Sequence, residues 1–287
     1  MSLHFGFCFG TALRSHVTQD ELWPLLETVE RCQYDSFWFY NDNGDAMPPA
    51  LELAKEVAHR TSSLRFGPHA LVAPGLLERT ALARELSRLH QISGGRFVAQ
   101  LGIGGARELL MDDQRGAAAE LECILREIAT DPTGVPRPYP VWLGGNRDRT
   151  VKRVAALADG WVPAFITPAE YRRRVGVLLG ELERLGRRTS VTLAVQVVYL
   201  PSSIDTPRVR AELDAEVAAH RPGATIRDLY AIGGYQAVRA RVAEFVETGV
   251  EHVILVPARP VPDWKAEIIG LKDEVINRFR SAPAARP

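Results

Sequence analysis

VAEFVETGVEHVILVP, residues Val242 to Pro257, decides the fold. An amphipathic stretch from Gln236 to Thr248 reads as a helix, Thr248-Gly249 as a turn, and the apolar run Glu251 to Val256 as a strand. A helix delivered to its next strand by so short a turn is the repeating half of an α/β protein.

The same unit recurs back to the N-terminus. Strands are expected at Leu3 to Phe9, Ser36 to Tyr40, Leu64 to Val72, Arg96 to Leu101, Tyr139 to Leu143, Trp161 to Phe165 and Val191 to Leu200. Helices are expected at Gln19 to Cys32, Pro49 to Arg60, Leu76 to Gln91, Ala117 to Ala129, Arg147 to Ala158, Pro168 to Leu185, Pro207 to His220 and, after the last strand, Asp263 to Arg280. In the first of these, Leu22, Leu25, Leu26 and Val29 fall at helical spacing. Eight strands, each followed by helix, with no composition break, predict one TIM-type (β/α)8 barrel over residues 1–280. The tail from Ser281 to Pro287 reads as flexible. Turns such as Ser93-Gly94-Gly95 and Asp159-Gly160 fall at the bottom of such a barrel, so Arg96 and Asp159 are read as structural. Longer, odder segments fall at the opposite strand ends, where barrel chemistry resides.

Thirty-five basic against 35 acidic residues give a formal charge of zero, which provides no global attraction to nucleic acid or an anionic membrane. Of the basic residues 31 are arginine and four lysine. Cys8, Cys32 and Cys123 match neither a metal spacing nor a disulfide framework, and the N-terminal segment has no signal-peptide pattern. With no apolar stretch long enough to span a bilayer, a cytoplasmic location is expected.

Several strand-end segments could carry chemistry. LGIGGAR, Leu101 to Arg107, follows a strand but fails as a dinucleotide fingerprint: Gly102 and Gly104 fit, whereas Arg107 stands where the third glycine belongs. It remains a place where something flat can approach backbone, or simply a tight turn. WLGGN, Trp142 to Asn146, sets Gly144 and Gly145 before a helix, an arrangement suited to phosphate, with Arg147 and Arg149 nearby. Thr167-Pro168 repeats it as a cap followed by proline. Asn41, Asp42 and Asp45 form an acidic loop beside Trp38 and Tyr40. His69 shares a strand face with Gly67, Leu71 and Ala73 if alternation holds, and is either a packed histidine or a catalytic one. The seven histidines show no metal-ligand spacing, so no metal is expected.

Five segments in order resemble the luciferase-like monooxygenase superfamily of flavin- and deazaflavin-dependent barrels: YDSFWFYND (Tyr34 to Asp42), LRFGPHALVAP (Leu64 to Pro74), ISGGRFVAQLGIG (Ile92 to Gly104), PVWLGGN with ALADGWVP (Pro140 to Pro163), and VAEFVETGVEHVILVP. The resemblance implies that coenzyme F420, or alternatively FMN, lies across the barrel mouth. It implies a non-proline cis peptide around Ala70-Leu71, a ring bordered by Gly102 to Gly104, a phosphate held by Gly144, Gly145 and Thr167, and further cofactor contacts from Asn41, Ala70, Leu71, Asn146 and Ile166. Many deazaflavin members carry Asp-His after the second strand, where this chain has Asn41-Asp42; Asp42 is the candidate to replace part of that pair. Arg107 stands where some members have an acid, with Glu108 beside it.

The expected function is F420-dependent hydride transfer with a small organic substrate, with Asp42 and His69 as the candidate catalytic residues. The alternatives are an FMN-dependent monooxygenase and a barrel that binds the cofactor without turnover. Relatives commonly form homodimers, which the resemblance extends to this chain. Only Gly104 to Tyr139 separates the fourth and fifth strands, shorter than the insertion of larger relatives, so a less covered mouth is expected.

Overall fold

The computed structural model describes the chain except residues 1–2, 11–12, 14–15, 42–46, 104–112, 131–135, 188–190 and 282–287. The elements run β1 (His4–Cys8), α1 (Gln19–Arg31), β2 (Ser36–Phe39), α2 (Ala50–Arg60), β3 (Arg65–Pro68), β4 (Leu71–Val72), α3 (Arg79–Ile92), β5 (Ala99–Gly102), α4 (Asp113–Glu127), β6 (Val141–Leu143), α5 (Asp148–Leu157) and β7 (Gly160–Trp161). They continue with α6 (Pro168–Arg184), β8 (Thr192–Leu200), α7 (Pro207–His220), α8 (Ile226–Leu229), β9 (Tyr230–Ile232), α9 (Gly234–Val246), β10 (His252–Pro257), α10 (Trp264–Leu271), a π-helical turn at Lys272–Ile276 and α11 (Asn277–Ser281). Ser281, expected at the start of the tail, is the last residue of α11.

Neighbouring strands follow the order β3-β2-β1-β10-β8-β7-β6-β5-β4, and the pairs are parallel. The ring closes where Phe66 of β3 bridges Phe97: the Phe66 N–H donates to the Arg96 carbonyl at 3.2 Å and the Val98 N–H to the Phe66 carbonyl at 2.9 Å. The third barrel strand is thus split, with β3 bonded to β2 and β4 bonded to β5. Between the halves the His69-Ala70 bond is cis, one bond earlier than the expected Ala70-Leu71. The reading of Leu64 to Val72 as one strand with unbroken alternation also fails here. Gly67 and His69 face the barrel interior, whereas Leu71 and Ala73 pack in the outer core. Periodicity alone cannot register a one-residue change of phase.

Two apolar layers follow from the period-two alternation along the strands. Outside the ring, Phe5, Phe7, Phe37, Phe39, Phe66, Leu101 and Val141 pack against the helices. Inside it, Cys8, Trp38, Val98, Trp142, Val162, Ala194 and Ile254 fill the barrel. Two indoles fit in so narrow a ring because opposing positions are glycine. A Cβ on Gly160 would collide with the Trp142 ring, and one on Gly67 with the Val98 carbonyl beside Trp38. Large residues against small ones are how a small barrel fills its taper.

The two residues read as structural act as staples at the bottom. Arg96 donates to the Ala58 carbonyl at 2.8 Å, the Leu64 carbonyl at 3.0 Å and Thr61 Oγ1 at 2.6 Å, tying the end of α2 to the strands. Asp159 accepts from Arg137 at 2.6 Å and from the Val141 N–H at 2.9 Å. At the top, β9 adds a short parallel strand beside Val198 to Leu200. Residues 221–235 carry no strand signal, because the three residues of β9 are too few to show a period.

Candidate active site

The floor of the mouth is aromatic. Trp38 and Trp142 stack with ring centroids 5.2 Å apart, and His252 meets Trp142 edge-on at 5.4 Å. Trp38 Nε1 donates to Ser36 Oγ at 2.7 Å, and that hydroxyl contacts His252 Nε2 at 2.7 Å. Burial drives the His252 pKa down to about 3, so the ring is a neutral packing group. Burial also pushes the Cys8 thiol up to about 12, which removes the thiolate needed for nucleophilic work.

Above this floor lies a polar layer. His69, 9% exposed, hydrogen-bonds through Nδ1 to Gln100 Oε1, and Gln196 hydrogen-bonds the ring as well. Its face stacks on Tyr40 at 6.2 Å and its edge meets Trp38 at 6.1 Å. An amide oxygen on Nδ1 requires the proton on that nitrogen. Burial lowers the His69 pKa and outweighs the two glutamine contacts, so the imidazole is neutral at neutral pH. His69 is thus a packed, hydrogen-bonded side chain in the interior of the barrel.

Around the rim, Asn41 Oδ1 accepts from the Val72 N–H at 3.2 Å, holding the end of β2 against β4. Ala70 and Gly102 are neighbours: a Cβ on Gly102 would lie 3.2 Å from that of Ala70, so the pair forms a low section of the wall. Leu71 and Ile166 are 1% and 2% exposed and belong to the outer core, which leaves their backbones as the parts nearest the rim. Asp42 and Gly104 lie outside the described residues.

The two expected phosphate positions differ in a way the sequence did not reveal. At α6, Thr167 Oγ1 caps the Glu170 N–H at 3.2 Å, and Glu170 accepts from the Thr167 N–H at 3.0 Å. Arg221 then pairs with Glu170 at 2.8 Å and donates to the Phe165 carbonyl at 2.5 Å, so this helix start is already satisfied. At α5 the N-cap is Arg147, with no side-chain cap. Gly145 holds φ +96 before it, a conformation that glycine adopts without strain, and its carbonyl accepts from Trp161 Nε1 at 2.9 Å. Asp148 in the first turn is drawn aside by Arg173 at 3.4 Å and Arg174 at 3.6 Å. An uncapped helix start after a glycine pair is the donor set an anion needs.

Four residues at the mouth were missed from sequence: Gln100, Gln196, Phe165 and Arg221. The glutamines had a signal, since each interrupts an otherwise apolar strand, AQLG and TLAVQVVYL. Phe165 is 43% exposed, has φ +51 and lies 6.0 Å from Tyr230 of β9. Nothing local to its sequence distinguishes it from an ordinary strand-end aromatic.

Comparison with known proteins agrees with the barrel fold. Residues 3–206 match the family model described as luciferase-like monooxygenase. Among solved structures, an F420-dependent secondary alcohol dehydrogenase in complex with an F420-acetone adduct superposes with a TM-score of 0.77 at 14% identity, covering 96% of this chain and 99% of that one. A coenzyme F420-dependent tetrahydromethanopterin reductase from Methanopyrus kandleri gives 0.72 at 17% identity, covering 97% and 100%. A monooxygenase from Streptomyces bottropensis gives 0.71 at 15% identity, covering 96% and 100%. Identities this low speak for the shared fold.

Proposed function

The chain belongs to the luciferase-like monooxygenase family, and on that premise we propose that it is an F420-dependent oxidoreductase acting on a small organic substrate. The observation that carries the reading is the uncapped start of α5 behind Gly144-Gly145, open at the barrel mouth. In this proposal the backbone N–H groups there, with Gly144, Gly145 and Asn146, hold the cofactor's phosphate. Thr167 contributes through its position beside them and not through its hydroxyl, which Glu170 already engages. The choice of deazaflavin over FMN draws support from the two superposed structures described as F420-dependent.

The residues present fit such a group. Ala70 and Gly102 offer a low wall for a flat ring, and Asn41 fixes the strand ends that border it. When bound, the deazaflavin supplies or accepts the hydride, and the protein supplies orientation and a controlled electrostatic setting. His69, held in one tautomer by Gln100, is the neutral hydrogen-bonding group at the base of the mouth. Asp42 is proposed as the acid on the loop after β2. Tyr40 and Trp38 exclude water from the side of His69 that they cover.

Turnover tests the reading. Under anaerobic conditions, the protein should accelerate bleaching of oxidised F420 by small alcohols, or its return from the reduced form by the matching carbonyls. Oxygen-dependent turnover with reduced FMN and none with F420 would replace it with a monooxygenase reading. Binding of F420 without turnover on any substrate would leave a cofactor-binding barrel.

A further inference from the structure

We propose that the groove between α3 and α4, outside the barrel, is a second binding site that takes a nucleotide-sized phosphorylated small molecule. The groove has a volume of about 700 Å³ and is lined by Arg84 and Arg88 of α3, Arg126 and Glu127 of α4, and Arg137. That volume falls within the range of small-molecule sites, roughly 300 to 1,000 Å³.

Its charge is the informative part. Four arginines face one glutamate in a protein whose formal net charge is zero. Arginines next to it are neutralised: Arg79 of α3 pairs with Glu120 of α4 at 2.8 Å, and Arg153 of α5 pairs with Glu122 of α4 at 2.9 Å. Arg84, Arg88 and Arg126 form no ion pair among the described residues, although Glu127 is at hand. Glu127 is engaged by Thr80 and Arg79. Arg84 and Arg88 stand one helical turn apart on one face, where like charges repel unless an anion lies between them. The fourth, Arg137, is mostly buried. One of its terminal nitrogens binds Asp159 at 2.6 Å, and its Nε is buried with no partner.

The remaining lining fits a particular kind of anion. Guanidinium groups match phosphate oxygens in paired hydrogen bonds, and three of them can converge on a terminal phosphate or diphosphate. Ser87, Gln91 and Thr130 add neutral hydrogen-bonding groups, while Tyr139, Ile128 and Pro138 provide an apolar floor for a flat moiety. A bare inorganic ion would use the first set and leave the floor uncovered. The groove runs along α3 from Thr80 to Gln91 and reaches the C-terminal end of α4, and it shares no lining residue with the mouth.

The test is calorimetric titration of the full chain at low ionic strength with ADP, adenosine and inorganic pyrophosphate as probes. ADP should bind, adenosine should not, and pyrophosphate should bind more weakly than ADP. Arg88→Glu and Arg126→Glu should each weaken ADP about tenfold or more, since each removes a charge-assisted contact and adds a repulsion. The neutral variants Arg88→Gln and Arg126→Gln should do so to a smaller extent with unchanged thermal stability, which separates binding from folding. Gly144→Val, at the mouth, should leave ADP binding unchanged. Absence of ADP binding would overturn the proposal, as would binding that survives both charge reversals or disappears in Gly144→Val.

Discussion

Trp38 and Trp142 lie 26° from parallel with their ring centroids 5.2 Å apart, one from β2 and one from β6, across the inside of the barrel. This stack is the platform on which the polar layer of His69, Gln100 and Gln196 rests. Because it depends on missing side chains at neighbouring positions, the glycines opposite it should be among the least replaceable residues of the chain.

Gly160→Ala is therefore expected to destabilise, since its Cβ would enter the Trp142 ring. The expected cost is about 1 to 3 kcal/mol for overpacking, read as a lower denaturation midpoint at constant m-value. Gly176→Ala, where open space surrounds the added carbon, serves as the control and should be neutral or stabilising.

Arg96→Ala removes three donors at once from the Ala58 carbonyl, the Leu64 carbonyl and Thr61. A loss of about 2 to 4 kcal/mol is expected from the broken partly buried network. Chemical denaturation measures it, and an unchanged midpoint would show that water replaces the guanidinium without cost.

The buried histidines set the acid side of stability. His252 and His69 both have folded pKa values below the ordinary 6.5, through burial, with His252 at about 3. Below pH 6.5 the unfolded chain takes up protons that the native state refuses, so stability falls as pH falls, and for His252 continues to fall down to about pH 3. The expected slope from His252 is about 1.4 kcal/mol per pH unit. His252→Gln should flatten the dependence between pH 6 and 4, roughly the window this linkage spans; a parallel curve for the variant would assign the effect to other groups.

Gln100→Leu tests the polar layer. It removes the oxygen that holds His69 Nδ1 while preserving most of the side-chain volume. Turnover should drop by about 10²-fold, the scale of a misplaced acid-base or hydrogen-bonding group, with cofactor affinity little changed. An equal loss in cofactor affinity would mean that Gln100 serves binding and not His69.

The barrel was legible because its signal is distributed: each strand is a β-branched or aromatic run, each turn is short, and eight repeats correct one another. What escaped was local. The split between β3 and β4 escaped because a change of phase at His69-Ala70 leaves composition untouched, and β9 because Tyr230 to Ile232 is too short for a period. The two helix starts looked alike in sequence, Gly-Gly before one and Thr-Pro before the other. Only the fold brings Glu170 and Arg221 together so as to close the second and leave the first open. Gln100 and Gln196 were visible as polar breaks in apolar strands, but their convergence on His69 depends on strands 96 residues apart in the chain order given by their numbers.

The most direct measurement is a fluorescence titration of coenzyme F420 into the wild-type chain and into Gly144→Val. At Gly144 an added Cβ would lie 3.6 Å from Gln100 Nε2 and 3.7 Å from the Val162 carbonyl, ordinary contact distances, so a branched side chain can stand at the mouth without unfolding the barrel. The account predicts saturable F420 binding to the wild type, weakened about tenfold or more in the variant by loss of access to the α5 amides, at equal thermal stability. Equal affinity in the two proteins, or saturable binding of FMN with none of F420, would contradict it.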